Sequence, residues 1–345
     1  MNVLWPAFIL VWLAACAQAT PSATPSPAAP PTTATFAATD STWRLFVVHQ
    51  NSNDVAVVEE PAHRIVARVA VGQNPHEIAA TGDGGLLATS NFAAGTISII
   101  DAQSLTVLAT LPSAPQPHGI AVRPGTREAY ITQGPSNQLN AIDLGLRKGG
   151  LTVPTGPGPH IVHFTPDGRL AVTTNPPSGT ATIIEFPNPK VLATLPTGEG
   201  AEGLGIAPDG RTAYVANRGD GTLTVIDLPA LRVTATVPVG PQPIRVLVSP
   251  DGETVYVTHI GSARLSIVSA RTLEVVTTLT VGASPVGMAL SPDNRWLYTA
   301  NIDGDSVSVV DIVQRQVIAT FPVGDGPDGI EVLPIAHGLV PATGR

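Results

Sequence analysis

The chain has 345 residues with 33 Gly, 34 Pro, few aromatics and a formal net charge of −8. Such a mix suits many short strands joined by tight turns and argues against long helices. Scattered Lys and Arg under a net negative charge argue against nucleic-acid backbone binding as the main task. The single cysteine, Cys16, excludes a disulfide framework, a thiolate metal cluster and a c-type haem attachment.

Residues 1–16 read as a signal peptide. Val3 to Ala15 is almost wholly apolar but too short for a comfortable membrane span. It ends in Leu13-Ala-Ala-Cys16, which resembles the lipobox of bacterial lipoproteins and implies lipidation of Cys16 after cleavage. An ordinary secretory signal with an incidental cysteine is the alternative, because no Lys or Arg precedes the apolar run. Residues 17–40 are rich in Pro, Ala and Thr and cannot bury a core, so they read as a tether. The expectation is an exported protein, periplasmic or at the cell surface, that meets the membrane only through its lipid anchor.

From residue 41 to 335 an internal repeat organises the chain. A proline position recurs every 42nd residue, at Pro75, Pro117, Pro159, Ala201, Pro243, Pro285 and Pro327. Three residues later comes an apolar residue each time: Ile78, Ile120, Val162, Leu204, Val246, Met288 and Ile330. Turns such as Thr165-Pro-Asp-Gly168 and Ser249-Pro-Asp-Gly252 combine a fixed φ, a backbone-bonding carboxylate and a residue that tolerates positive φ. Between them lie short β-branched alternating runs, four per repeat, which we label strands A to D. Four strands in about 42 residues is the pattern of a propeller blade. The chain starts with strands B, C and D and ends with strand A, so the two ends complete one sheet. The expected fold is an all-β propeller of seven blades, each of four antiparallel strands, followed by a tail over 336–345.

The runs Tyr256-Val-Thr-His259, Tyr214-Val-Ala-Asn217, Tyr298-Thr-Ala-Asn301 and Tyr130-Ile-Thr-Gln133, with the Ser-Pro-Asp-Gly turns and the closing Ile-Asp of strand C, resemble the YVTN-repeat β-propellers. These are bacterial and archaeal extracytoplasmic proteins. Broader relatives include lactonase-type propellers, the cytochrome d1-like haem domains of nitrite reductases and the copper propeller of nitrous oxide reductase. The resemblance implies the fold from about residue 43 to 333, and the same scaffold hosts unrelated activities.

Strand polarity places the residue after each proline at one mouth of the central channel, next to the last residue of strand B. Around the ring these pairs are His76 with Asn91, His118 with Gln133, His160 with Asn175, Glu202 with Asn217, Ile244 with His259, Val286 with Asn301, and Asp328 with His49. His49, His76, His118, His160, Glu202, His259 and Asp328 are therefore candidate ligand-binding residues. His76, His118 and His160 could hold Zn, Cu or Fe, or Pro-His could be a habit copied by duplication. One residue on, the channel-facing set is Glu77, Gly119, Ile161, Gly203, Arg245, Gly287 and Gly329, small as expected beside a narrow axis, with His163 and Glu331 deeper. Glu77 and Arg245 could serve as base and oxyanion partner toward a lactone, or form a structural ion pair across the channel. The strand-B Asn residues and the strand-C Asp residues (Asp101, Asp143, Asp227, Asp311) are expected to bond local backbone.

No phosphate-binding loop, nucleophile elbow or His-Glu-x-x-His helix occurs. The leading expectation is a binding or scaffold propeller that recognises a small ligand or a protein partner at the His-rich mouth. The alternative is a metal-dependent or lactonase-like hydrolase on the same face.

Overall fold

The computed structural model describes residues 43–335. Cys16, the signal sequence, the tether and residues 336–345 lie outside them. The described residues form seven four-stranded antiparallel sheets, and in each sheet the strand order follows the chain except for the one that closes the ring. Blade 1 joins Trp43–His49, Asp54–Glu60 and Arg64–Ala70 to the last strand, Pro327–Pro334. Blades 2 to 7 follow along the chain, with inner strands Pro75–Ala80, Pro117–Val122, Val162–Phe164, Ala201–Ile206, Pro243–Val248 and Pro285–Leu290.

The closing register runs from Trp43 opposite Pro334 to His49 opposite Pro327, so the first and last described strands are joined by a backbone ladder. Trp43 Nε1 also donates to the Tyr298 hydroxyl of blade 7 at 2.9 Å, tying the first strand to the neighbouring sheet. The apolar residues of each sheet pack against the next one. Phe46 and Val48 of blade 1, for example, lie in one cluster with Leu87 and Ile100 of blade 2. Each sheet is apolar on both faces, so burial is complete only when the ring closes.

The turns follow the expected chemistry. Gly168, Gly210 and Gly252 have φ of 66°, 67° and 73°, and Asp167, Asp209 and Asp251 each accept a backbone N–H two residues on. Asp101, Asp143, Asp227 and Asp311 accept backbone N–H groups of the following C-to-D turns.

Two details differ from expectation. Most inner strands shift register just after the proline position, as between Pro75 and Ile78 or Pro243 and Arg245. This bulge breaks strict alternation just after the proline position. In blade 4 the regular strand begins only at Val162, yet His160 N–H still donates to Thr174 O at 2.8 Å.

Candidate functional site

The mouth is assembled from the residue after each proline position. In ring order it reads Asp328, His76, His118, His160, Glu202, Ile244 and Val286. Strand B of one blade fixes the mouth residue of the next. Ser90 Oγ donates to His118 O, Thr132 Oγ1 to His160 O at 2.8 Å, Thr174 Oγ1 to Glu202 O at 2.9 Å, and Thr258 Oγ1 to Val286 O at 2.9 Å. His160 O also accepts Gly119 N–H at 2.9 Å. These hydroxyls are positioning residues missed in the sequence; their signal was a Ser or Thr just before the last residue of strand B.

The second tier explains its own small residues. A Cβ on Gly119 would stand 2.5 Å from His160 O, on Gly203 2.7 Å from Ile244 O, on Gly287 2.1 Å from Asp328 O, and on Gly329 2.8 Å from His76 O. Glycine is required there because the next blade's backbone crosses that spot, rather than because the axis is narrow.

His76, His118 and His160 form a close-set row of mutually tilted rings. Ring centroids are 4.6 Å apart for His76–His118 and 3.7 Å for His118–His160, with interplanar angles of 49° and 31°. Phe92 flanks the row, 5.0 Å from His76. Burial first, then the neighbouring imidazoles, push the His118 pKa well below its ordinary value. Burial and the Arg245 charge hold His160 down to about 3. Both are therefore neutral near pH 7.

Carboxylates bracket the row. Asp328 Oδ2 accepts Gln50 Nε2–H at 2.7 Å and lies 3.2 Å from His76 Nδ1, while His76 Nε2 faces Asn74 Oδ1 at 3.0 Å. Burial raises the Asp328 pKa, but the His76 hydrogen bond and the Arg245 charge outweigh it, and the net shift is downward. At the other end Glu202 lies 3.8 Å from His160 Nε2 and 3.5 Å from Arg218 Nη1.

Beneath the mouth, Arg245 Nη2 meets Glu77 Oε1 at 2.6 Å and Asp328 Oδ1 at 3.9 Å. Blades 2 and 6 stand nearly opposite, so this ion pair crosses the channel. Burial raises the Glu77 pKa, and Arg245 only partly offsets it. His118 Nδ1, His160 Nδ1, Arg245 Nε and Asp328 Oδ1 are buried without a hydrogen-bond partner among the described residues. Unpartnered buried polar atoms are uncommon and mark a place where a ligand gains by supplying the missing partners.

The structure thus brings together Asp328, His76, His118, His160, Glu202, Glu77 and Arg245. His49 and His259 are not part of this mouth: both are fully buried and bond inside their own blades. His49 Nδ1 meets Asp54 Oδ1 at 2.7 Å; His259 meets Pro241 O and Ser266 Oγ, both at 2.8 Å. They occupy the position of Asn91, Asn217 and Asn301, whose side-chain amides donate to strand-C hydroxyls, as Asn91 does to Thr96 and Ser98.

The imidazoles also do not fit the metal expectation. Among the described residues no three His, Cys, Asp or Glu side chains are placed to share one metal ion.

The fold and this mouth define a seven-bladed β-propeller with an axial polar site built by consecutive blades. The chain belongs to the family described as "Lactonase, 7-bladed beta-propeller", whose profile matches residues 24–317. Among solved structures it is similar to the Kuenenia stuttgartiensis hydrazine synthase, at 19% identity and TM-score 0.69, covering 76% of this chain and 96% of that one. It is also similar to a functionally unknown protein from Desulfotomaculum acetoxidans DSM 771, at 17% identity and TM-score 0.75, covering 84% and 98%. At such identities the likeness is one of fold. No curated protein matches the sequence significantly.

Proposed function

We propose that the protein is an extracytoplasmic binding propeller whose His-rich mouth holds a small, ring-shaped polar molecule. The observation that carries this reading is the row of three close-set, tilted imidazoles between two carboxylates, floored by the Arg245–Glu77 pair. The unpartnered nitrogens of His118 and His160 bond its polar atoms, and the carboxylates orient its hydroxyl groups. Binding is favoured over turnover because a general base works best with a pKa near the working pH. His160, held to about 3, is too weak a base, and the Glu77 carboxylate already engages Arg245 at 2.6 Å.

Lactones and their hydroxy acids are the first candidates, given the family's name. Calorimetry with γ-butyrolactone, its hydroxy acid and a panel of related lactones and polyols tests the reading. A ligand should bind, with at least about tenfold weaker affinity in His118→Ala and Asp328→Asn, and without release of product above the spontaneous rate. Failure of the whole panel to bind overturns it.

A second reading, lactone hydrolysis, draws on family membership and on Glu77, whose carboxyl is raised by burial beside Arg245. Hydroxy-acid release that disappears in Glu77→Gln would establish it instead. Export and anchoring through Cys16 are part of the proposal, and palmitate labelling that is lost in Cys16→Ser tests them.

A further inference from the structure

We infer that the lower half of the central channel is a second ligand site, which takes a small aliphatic ammonium ion with its charge on Glu331. Beyond the Arg245–Glu77 pair the channel opens into a cavity of about 530 Å³ bordered by inner strands of all seven blades. That volume lies in the ordinary range for small-molecule sites. Its wall is mixed, with aliphatic side chains such as Ala79, Leu247 and Ala289 set among polar atoms of the inner strands.

Two polar side chains interrupt this wall on one tier, each four residues after the proline position: Glu331 in blade 1 and His163 in blade 4. Glu331 is held in place by backbone alone. Its Oε2 accepts Ala80 N–H at 3.2 Å and its Oε1 accepts Val332 N–H at 3.1 Å. His163 forms no hydrogen bond to the described residues, and burial with the Arg245 charge lowers its pKa to about 4. The tier therefore offers a carboxyl group and a neutral imidazole, both able to accept, and no cation.

The neighbouring titratable groups are engaged elsewhere. The adjacent inner strand brings His76, paired with Asp328, and Glu77, paired with Arg245. The strand Trp43–His49 brings Arg44, paired with Glu59, and His49, paired with Asp54. Strands Pro285–Leu290 and Trp296–Asn301 bring no titratable side chain but Tyr298, whose hydroxyl accepts from Trp43, and Asp328 shares the strand of Glu331. Burial without a countercharge raises the Glu331 pKa to about 7. An entering ammonium group supplies the missing countercharge and N–H donors, while its alkyl body covers the aliphatic side chains of the wall. An anion meets only a carboxylate and an arginine already occupied.

Titration of the purified chain with n-butylammonium, butanoate and 1-butanol tests the inference. Butylammonium should bind 1:1 at pH 8 and release a proton as it binds near pH 6.5. Its affinity should fall at least about tenfold by pH 5.5, because Glu331 is then protonated while the amine stays charged. Glu331→Gln should abolish binding with an unchanged circular dichroism spectrum. Leu247→Phe, which fills the same tier without altering charge, should weaken it. His118→Ala and Asp328→Asn should leave it intact, so this site fails or stands independently of the mouth. Equal binding of butanoate or butanol, retention in Glu331→Gln, or loss in Asp328→Asn overturns it.

Discussion

Blades 2 to 4 and blades 6 and 7 are copies of one repeat, yet they meet the channel mouth with opposite chemistry. The first three present His76, His118 and His160; the other two present Ile244 and Val286, each 4% exposed and packed in the cluster that includes Val47 and Ala300. The repeat therefore closes equally well with an aliphatic residue at this position. Apolar side chains there add to core burial, whereas the buried, unpartnered Nδ1 atoms of His118 and His160 do not improve packing. The histidine arc is better explained by what it binds than by what it stabilises.

The largest test of this contrast is acid. His118, His160 and His163 have lowered folded pKa values, so they bind fewer protons folded than unfolded. Their contribution is complete above about pH 6.5 and is lost as pH falls toward their folded values. Urea unfolding at pH 7, 6, 5 and 4 should show stability falling across this window. In His118→Asn the slope should shrink by up to one proton, ~1.4 kcal/mol per pH unit. An unchanged slope would show that His118 is not held neutral.

Glu331 acts in the opposite sense: its folded pKa is raised, so its contribution declines as pH rises from about 4.5 toward 7. Glu331→Gln should therefore stabilise the fold more at pH 8 than at pH 4.

Next in size is Gly119→Ala, which drives a Cβ to 2.5 Å from His160 O. A loss of about 1–3 kcal/mol and a lower Tm are expected, as for other overpacked sites. Gly82→Ala, which meets nothing within 4 Å, should change little. Thr132→Val removes one of two bonds to the His160 carbonyl and should cost about 1 kcal/mol. Ile244→Val, on the apolar side, should cost ~1 kcal/mol or less and leave mouth binding untouched. If it weakens mouth binding as much as His118→Ala, the two halves are not functionally distinct.

Much of this was legible because propeller blades repeat their chemistry in register. Pro75, Pro117 and Pro243 located the mouth, and counting from them placed His76, His118, His160, Glu202 and Asp328 on one rim. The Asp residues closing strand C were readable because their bonds reach only two or three residues away. His49 and His259 misled the reading: adjacency along the ladder does not say whether a side chain points to the axis or into its own blade. For a related reason, equivalent positions bring imidazoles near one another without fixing whether three ligating side chains can share one metal ion. The alternation of large and glycine residues at Glu77, Gly119, Ile161, Gly203 and Arg245 was visible, but its cause lay in the next blade's backbone.

By itself the sequence determined the blade count, the strand order within a blade and the sheet shared by the first and last strands, because these rest on local turn chemistry and a period that a linear string displays. Tertiary structure alone decided which polar groups face each other across the axis. Arg245 and Glu77 are separated by four blades along the chain and by 2.6 Å in space, and Glu331 finds its backbone donor on the neighbouring blade. Ring closure creates those distances, and with them the burial that keeps His160 neutral and raises Glu331.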